Sequence, residues 1–214
     1  MKLWFAFVKN MQKKDNSTLK EKLGLRKAAL KKINACGIQP KILETHGGKG
    51  EIFKKIYGRY DGGIVFETDI KKAKVLAKQR GSWRVYNSKC EKSIKDGVCD
   101  GVNLNFFDID PYGSPWEVID TILNSKIKLQ KKIVFCVNDG LRKKIQLGGG
   151  WVVGCLKEEV NKYGNAEMHK NYLKICKEMM IKKAGDVGLN VTSWNGYYCG
   201  HAQSMTHYAA ILER

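Results

Sequence analysis

The chain has 214 residues, of which 39 are Lys or Arg and 21 are Asp or Glu, so its formal net charge is +18 and its pI is about 9.6. A hydrophobic content of 43% supports a real core and excludes a largely disordered basic tail. No apolar run approaches the ~20 residues of a membrane helix, and the stretch 3–8 is shorter than the ~7–15-residue core of a signal peptide. We therefore expect one globular domain, a cytoplasmic location and no membrane partner.

The cysteines and histidines argue against a metal or disulfide framework. Seven cysteines are present, which is an odd number, and none of them forms a C-x-x-C pair. His169, His201 and His207 show no ligand spacing with cysteines or acids. We therefore predict no metal site and expect reduced thiols that mostly fill core space.

The excess of positive charge points to a polyanionic partner. Nucleic acid is the favoured interpretation, because Lys and Arg neutralise phosphates and release counterions without reading the base sequence. The alternative is the lysine-rich surface of a thermophile, although such surfaces usually balance Lys with Glu.

In chain order, the first predicted element is a helix over 18–36. Thr18-Leu-Lys-Glu21 has the pattern of a capping box, and Gly37 suits the position just after the helix. Shorter helices are expected at about 51–58 and 71–80, a helix begins after Ser114-Pro115, and another spans 165–184. Residues 139–165 are expected to form a long connection.

Short apolar runs between these helices predict the strands, at 41–44, 63–67, 83–87, 102–109, 132–138, 188–198 and 205–213. The run at 132–138 is continuously apolar, which is typical of a parallel strand buried on both faces. The last two strands are separated by a few residues, so they are expected to form an antiparallel hairpin. The predicted fold is α/β and doubly wound, with a mostly parallel, seven-stranded, Rossmann-like sheet closed by that hairpin.

Ligands of such sheets bind beyond the carboxyl ends of the strands. Glu44-Thr-His-Gly-Gly-Lys-Gly50 follows the first strand and opens a helix. Glycines there let the backbone approach a ligand, although a plain helix-entry turn explains them as well. Glu67 ends the second strand and can accept hydrogen bonds from ribose hydroxyls, whereas Asp69 is either the alternative acid or the cap of the next helix. Together these residues indicate an adenosine-containing cofactor.

The most informative stretch is Asp108-Ile-Asp110-Pro-Tyr-Gly-Ser-Pro115. Asp110 and the Pro111 carbonyl can accept hydrogen bonds from an exocyclic amine, and Tyr112 can stack on a planar base. A tight turn that caps the next helix is the structural alternative, and the two interpretations are compatible.

These motifs resemble the class I S-adenosylmethionine-dependent methyltransferases. D-P-Y-G is similar to the (D/N)-P-P-(Y/F) motif of enzymes that methylate base amines. D-x-D-P-Y-G-S-P is still more similar to the D-x-D-P-F-G-S-P of the tRNA guanine-N(2) dimethyltransferase family. The resemblance divides the chain into a basic N-terminal segment, 1–37, and a catalytic domain, 38–214. It implies a methyltransferase that acts on an exocyclic base amine in RNA, most simply guanine N2 of tRNA or rRNA.

The same resemblance implies roles for particular residues. Asp110 and Pro111 would orient the amine and Tyr112 would stack on the base. S-adenosyl-L-methionine, the implied cofactor, would contact residues of four strand ends: Glu44, His46, Gly48, Gly50, Glu67, Asn87, Ser88 and Asp108. His46 stands where the family pattern E/D-x-G-x-G-x-G has its first glycine, so it is either an ordinary loop residue or part of the cofactor pocket.

Contacts to nucleic acid are predicted in the connection after the fifth strand, by Arg142, Lys143, Lys144 and Trp151, with the basic amino-terminal helix as another candidate. A packing role explains Trp151 equally well. Two alternatives remain. One is an adenine-N(6) or cytosine-N(4) methyltransferase acting on DNA or RNA. The other is a non-catalytic nucleic-acid-binding module on the same scaffold. The sequence does not indicate an oligomeric state.

Overall fold

The computed structural model describes residues 18–147 and 154–214, and this part of the chain contains a seven-stranded sheet of order β3-β2-β1-β4-β5-β7-β6. The strands are β1 (Ile42–Glu44), β2 (Gly63–Phe66), β3 (Arg84–Tyr86), β4 (Asn103–Ile109), β5 (Lys128–Asp139), β6 (Asn190–Cys199) and β7 (Met205–Glu213). The helices are α1 (Leu19–Ala35), α2 (Glu51–Lys55), α3 (Ile70–Gln79), α4 (Cys90–Lys95), α5 (Trp116–Leu123), α6 (Leu141–Gln146) and α7 (Gly154–Asp186).

The pairing of the strands confirms the predicted fold class. Strands β1 to β5 are parallel, and β7 pairs antiparallel with both β5 and β6. The chain runs from β1 outward through β2 to β3 and then returns to the other side of β1 with β4. The order of the strands therefore reverses between β1 and β4, which is the place where ligands bind in open α/β sheets.

The sheet separates two apolar cores. One core packs residues of α1, α2 and α3 against the sheet, and the other packs residues of α4 to α7 against the opposite face. In α1 the inward residues are Leu25, Ala29, Leu30 and Ile33. The sequence-based boundary at residue 37 therefore does not separate α1 from the core.

Several local predictions need correction. Thr18 precedes α1, but its side chain forms no capping hydrogen bond, so the predicted capping box is not present. The connection predicted over 139–165 contains α6 and the first part of α7. Helix α7 has a non-helical residue, Gly164, with φ of 71°, and the helix predicted from 165 onward is the part that follows this break. None of the described helices combines the length and the apolar character needed to cross a bilayer.

Candidate active site

The carboxyl ends of β1, β2 and β4 bring the predicted motifs to one edge of the sheet. Glu44 pairs with Val65 on one side and with Asp108 on the other. Register and parallel direction thus place the glycine loop, Glu67 and the Asp108–Pro115 motif next to one another.

The glycine loop after β1 depends on its glycines for two reasons. A Cβ at Gly47 would lie 2.6 Å from side-chain atoms of both Leu76 and Val65, so only glycine fits without a shift. Gly48 and Gly50 have φ values of 55° and 77°, which side-chain-bearing residues rarely adopt. A Cβ at Gly48 would have no other atom within 4 Å, so the outer side of the loop is open.

Glu44 lies beneath this loop rather than on its open side. Its Oε2 is 2.5 Å from Nη1 of Arg80, both side chains are buried, and the Arg80 guanidinium also stacks on Phe53. Burial raises the pKa of Glu44 to about 7, although Arg80 opposes this shift. The carboxylate predicted to hold the methionine part of a cofactor therefore faces the core, where it ties the loop to the end of α3.

Glu67 joins the ends of β2 and β1. Its Oε2 accepts a hydrogen bond from the Gly48 amide at 2.8 Å, and its Oε1 accepts one from the Asp69 amide at 2.9 Å. The Asn87 side chain donates to the backbone carbonyls of Glu67 and Thr68 at 2.8 and 3.0 Å. Glu67 is therefore a carboxylate fixed beside the open glycine loop. Asp69 instead caps α3 by accepting from the first amides of that helix.

Two further residues predicted for the cofactor lie at this edge. The Ser88 hydroxyl is 2.6 Å from that of Ser93, so it stabilises the start of α4. His46 is partly buried, and its Nδ1 is 2.8 Å from the Thr45 hydroxyl. Burial lowers the pKa of His46, and the nearby carboxylates, which include those of Glu91 and Asp110, oppose this shift. His46 is therefore a partly buried residue within electrostatic range of the acids at this edge of the sheet.

Asp108 is a structural residue. Its side chain is fully buried and accepts hydrogen bonds from Nε of Arg26 at 2.7 Å, from Nη2 of Arg26, and from the Tyr57 hydroxyl at 2.7 Å. Both carboxylate oxygens are thus used inside the protein. Only its backbone carbonyl is directed to the β1 loop, where it accepts from Thr45.

Asp110 is the more accessible carboxylate of the motif. The side chain is 23% exposed, and its two oxygens lie 3.0 and 2.8 Å from Nζ of Lys22. Burial would raise the pKa of Asp110, but Lys22 and Arg26 outweigh it and lower that pKa. The side chain is therefore ionised at neutral pH and able to accept hydrogen bonds.

Next to Asp110, Tyr112 is 84% exposed, which leaves its ring face available for stacking. Ser114 accepts a hydrogen bond from the Trp116 amide at 3.2 Å, at the start of α5. The turn into α5 therefore uses Ser114, which follows Asp110 and Tyr112 in the chain, so this structural role does not compete with the binding role predicted for those two residues.

Arg142 does not lie on a nucleic-acid-binding surface, so this prediction needs correction. Its side chain is buried, donates to the carbonyls of His169 and Gln203 at 3.1 and 2.6 Å, and stacks on Tyr198 at 4.0 Å. Through Nε and Nη1 it joins α6 to α7 and to the turn of the closing hairpin.

The neighbouring Lys143 and Lys144 are exposed on α6 and stay candidates for contacts with phosphates. Trp151 and the glycines before it lie outside the described residues.

Sequence reasoning missed the partners of the motif carboxylates. Lys22 and Arg26 lie one helical turn apart on α1, and Asp108 and Asp110 lie two residues apart at the end of β4. The signal in the sequence is K-x-x-x-R opposite D-x-D, since i,i+4 positions share a helix face and i,i+2 positions share a strand face. Nothing local indicates that the two faces meet. Among the described residues, no group of three or more potential ligands is placed to hold a metal ion.

Comparisons with known proteins place the fold. No protein-family model and no curated protein sequence matches the chain. Among solved structures, Trm1 from Pyrococcus horikoshii, in complex with S-adenosyl-L-methionine, aligns with a TM-score of 0.64 and 14% identity, covering 92% of this chain. This chain spans 54% of that protein's length. M. jannaschii TYW2, in complex with AdoMet, aligns with a TM-score of 0.51 and 12% identity, covering 82% of this chain and 69% of that one.

A third solved structure contains a second ligand in addition to SAH. The plantazolicin methyltransferase BpumL, with a desmethylPZN analog and SAH, aligns with a TM-score of 0.61 and 13% identity, covering 97% of this chain and 90% of that one. The chain therefore has the fold of S-adenosylmethionine-dependent methyltransferases, and the fold alone does not select an acceptor.

Proposed function

We propose that the chain is an S-adenosyl-L-methionine-dependent methyltransferase that methylates an exocyclic base amine in RNA, most simply guanine N2 of tRNA or rRNA. The observation that carries this proposal is the site at the switch point of the sheet. There, an open glycine loop with Glu67 lies beside Asp110-Pro111-Tyr112, with its ionised carboxylate and exposed aromatic ring.

The chain's residues fit the cofactor. Glu67 is fixed next to the Gly48 amide, where a carboxylate can accept hydrogen bonds from a ribose. The open side of Gly48 allows close approach of a ligand to the backbone. Glu44 and Asp108, which are buried and paired, would position the loop and the motif rather than touch the cofactor. Bound there, S-adenosylmethionine would supply an electrophilic methyl group.

The chemistry assigned to the chain is orientation of the amine. Asp110 and the Pro111 carbonyl would accept the two amine hydrogens, so that the nitrogen lone pair points to the methyl group, and Tyr112 would stack on the base. The proton is lost late or after methyl transfer, when the nitrogen is cationic and acidic. A carboxylate with a lowered pKa suits this role, because it needs to accept a hydrogen bond and not to remove a proton from a neutral amine.

RNA as the acceptor is supported by the net charge of +18, which favours phosphates, and by the resemblance of the motif to enzymes that methylate guanine N2. Within a structured RNA, the target base would have to leave its stack to bring the amine to Asp110.

The test is transfer of a tritiated methyl group from S-adenosylmethionine to total tRNA, rRNA and DNA, followed by analysis of the nucleosides, with Asp110→Ala as the control. We expect labelled N2-methylguanosine from tRNA or rRNA. Labelled N6-methyladenosine or N4-methylcytosine would contradict the assigned base. Failure of S-adenosylhomocysteine to bind in isothermal titration would contradict the enzyme itself and favour a non-catalytic binding module.

A further inference from the structure

A lysine of the protein itself forms an ion pair with Asp110, the carboxylate assigned to the substrate amine. Lys22 Nζ is within 3.0 Å of both oxygens of Asp110. Nζ is a nitrogen that offers several N–H donors, which is also what an exocyclic base amine offers to a carboxylate. Nζ thus makes with Asp110 the same kind of hydrogen bond that the proposed function assigns to an N–H of the acceptor amine.

The attachment of Lys22 differs from that of its neighbour Arg26 on α1. Arg26 is fully buried, and its guanidinium bonds both Asp108 and the Lys22 carbonyl. The Lys22 side chain is 17% exposed, and both hydrogen bonds described for its Nζ go to Asp110. A lysine head on a flexible four-carbon stem can move into water, whereas a buried guanidinium fork cannot. Lys22 is therefore the displaceable member of the two.

A buried polar side chain without a described hydrogen-bond partner lies within electrostatic range of Lys22. His207 on β7 is fully buried, and neither of its ring nitrogens has a hydrogen-bond partner among the described residues. Burial, followed by Arg26 and Lys22, lowers the pKa of His207 to about 3, so the ring is neutral and offers one donor and one acceptor. A buried polar group without a partner is rare in folded proteins, and a ligand is one explanation.

We propose that Lys22 is an internal placeholder for the substrate amine: it holds Asp110 in the free protein, and the target base displaces it on binding. The placeholder keeps a partly buried carboxylate paired while no base is bound, and it makes the entering amine compete with a tethered cation. This inference rests on the proposed function and adds a residue of α1 that determines access to the amine subsite.

The first test compares three variants of α1 in methyl transfer to unfractionated tRNA. Lys22→Met removes the cation, Lys22→Arg keeps it with a stronger bidentate grip, and Lys27→Met removes an exposed charge of the same helix as a baseline. Relative to Lys27→Met, we expect Lys22→Met to lower KM for tRNA by about fivefold, the scale of a partly exposed ion pair. Lys22→Arg should raise KM above that of the wild type. Affinity for S-adenosylhomocysteine should not change in any of them.

The second test fills the vacated place with a free amine. Propylammonium should inhibit Lys22→Ala competitively with tRNA and leave the wild type unaffected. Tetramethylammonium at equal concentration, which has no N–H donor, controls for ionic strength.

The outcomes separate this inference from the proposed function. Absence of methyl transfer by the wild-type protein contradicts the function. A wild type that transfers methyl groups, with Lys22→Met equal to Lys27→Met and no inhibition by propylammonium, contradicts the placeholder alone. Loss of turnover in Lys22→Met with unchanged KM also contradicts it, since Lys22 would then be required during the reaction.

Discussion

Two carboxylates at the end of β4 are held by two cations of α1, and the two pairs have different properties. Asp108 and Arg26 are both fully buried, and the Tyr57 hydroxyl also donates to Asp108. Asp110 and Lys22 are partly exposed, with 23% and 17% of their side-chain surfaces accessible to solvent. The two acids and the two cations are spaced alike along their elements. Two residues of a strand rise roughly 6.6 Å, and four residues of a helix rise about 6 Å.

The difference shows how one contact between a helix and a strand can serve both stability and binding. A buried charge must stay paired, because removing its partner leaves an uncompensated charge in the core. A pair at the surface is partly solvated and screened, so its loss costs little and a ligand can replace one member. We infer that Arg26 fixes α1 on the end of β4, and that this places Lys22 at Asp110.

The largest effect is expected from breaking the buried pair. Arg26→Met should lower the free energy of unfolding by about 3–5 kcal/mol, because Asp108 would stay charged in the core with Tyr57 as its remaining side-chain donor. Urea denaturation followed by circular dichroism measures this. Adding Asp108→Asn to Arg26→Met should recover part of the loss, since neither member of this pair is then charged. If the double variant is no more stable than the single one, the loss does not come from the unpaired carboxylate.

The next largest effect concerns the surface carboxylate. Asp110→Ala should lower methyl transfer by at least about 100-fold, because the amine loses the acceptor that orients it. Its affinity for S-adenosylhomocysteine, measured by isothermal titration, should stay close to that of the wild type. An equal loss of cofactor binding would show that Asp110 belongs to the cofactor site. Asp110→Asn, which keeps one acceptor oxygen, should retain more activity than the alanine variant.

Glu67 is a carboxylate of the same site that does not pair with α1, so its substitution can be compared with the changes to both pairs. Glu67→Gln should weaken binding of S-adenosylhomocysteine about tenfold, the value of a hydrogen bond to a charged group. The tRNA concentration that gives half-maximal rate at saturating cofactor should not change. A variant that binds the cofactor as tightly as the wild type would remove Glu67 from the cofactor site.

The smallest effect is a shift in pH dependence. Asp110 has a pKa that Lys22 and Arg26 lower against the effect of burial. Its ionised form therefore stabilises the fold above the pKa of an unfolded Asp, and this contribution is lost as the pH falls through the lowered value. In Lys22→Met this pKa should rise, so the acidic limb of kcat/KM moves to higher pH. An unchanged limb would mean that Lys22 does not act on Asp110 in solution.

Two histidines also lie within electrostatic range of Asp110. His46 approaches from the loop after β1 and His207 from β7, and burial lowers the pKa of each, that of His207 to about 3. The variant His46→Gln separates the titration of His46 from that of Asp110, because it removes one titrating group and leaves Lys22 in place. We expect the acidic limb of kcat/KM to shift in Lys22→Met and to keep its wild-type position in His46→Gln.

The sequence could predict which motifs meet at the edge of the sheet, because each motif is marked by a local pattern. Apolar runs ending in Glu44, Glu67 and Asp108 mark the strand ends, and parallel strands bring such ends to one edge. The glycines of the loop after β1 are also a local signal, because Gly48 and Gly50 have positive φ values that other residues rarely adopt.

What each carboxylate binds could not be predicted, because the partners are distant in sequence. Lys22 and Asp110 are 88 positions apart, and Arg26 and Asp108 are 82 apart. Glu44 meets Arg80 beneath the loop, and Arg142 is buried against the closing hairpin although its neighbours are exposed lysines. A charged residue has the same local pattern whether it is buried or exposed, so composition predicts the sign of the charge and not its surroundings.

The sequence by itself therefore determined the α/β fold, the edge of the sheet where the motifs meet and the basic character of the surface. The fold and the edge follow from hydrophobic periodicity and turn residues, which are local patterns in the sequence. The basic character follows from the net charge, which is a sum over the whole chain. The tertiary structure decided which acids are available: it buried Glu44 and Asp108 against arginines and left Asp110 accessible beside Lys22. The physical reason is that burial and pairing of a charge depend on packing between distant elements, and these set both its cost and its reactivity.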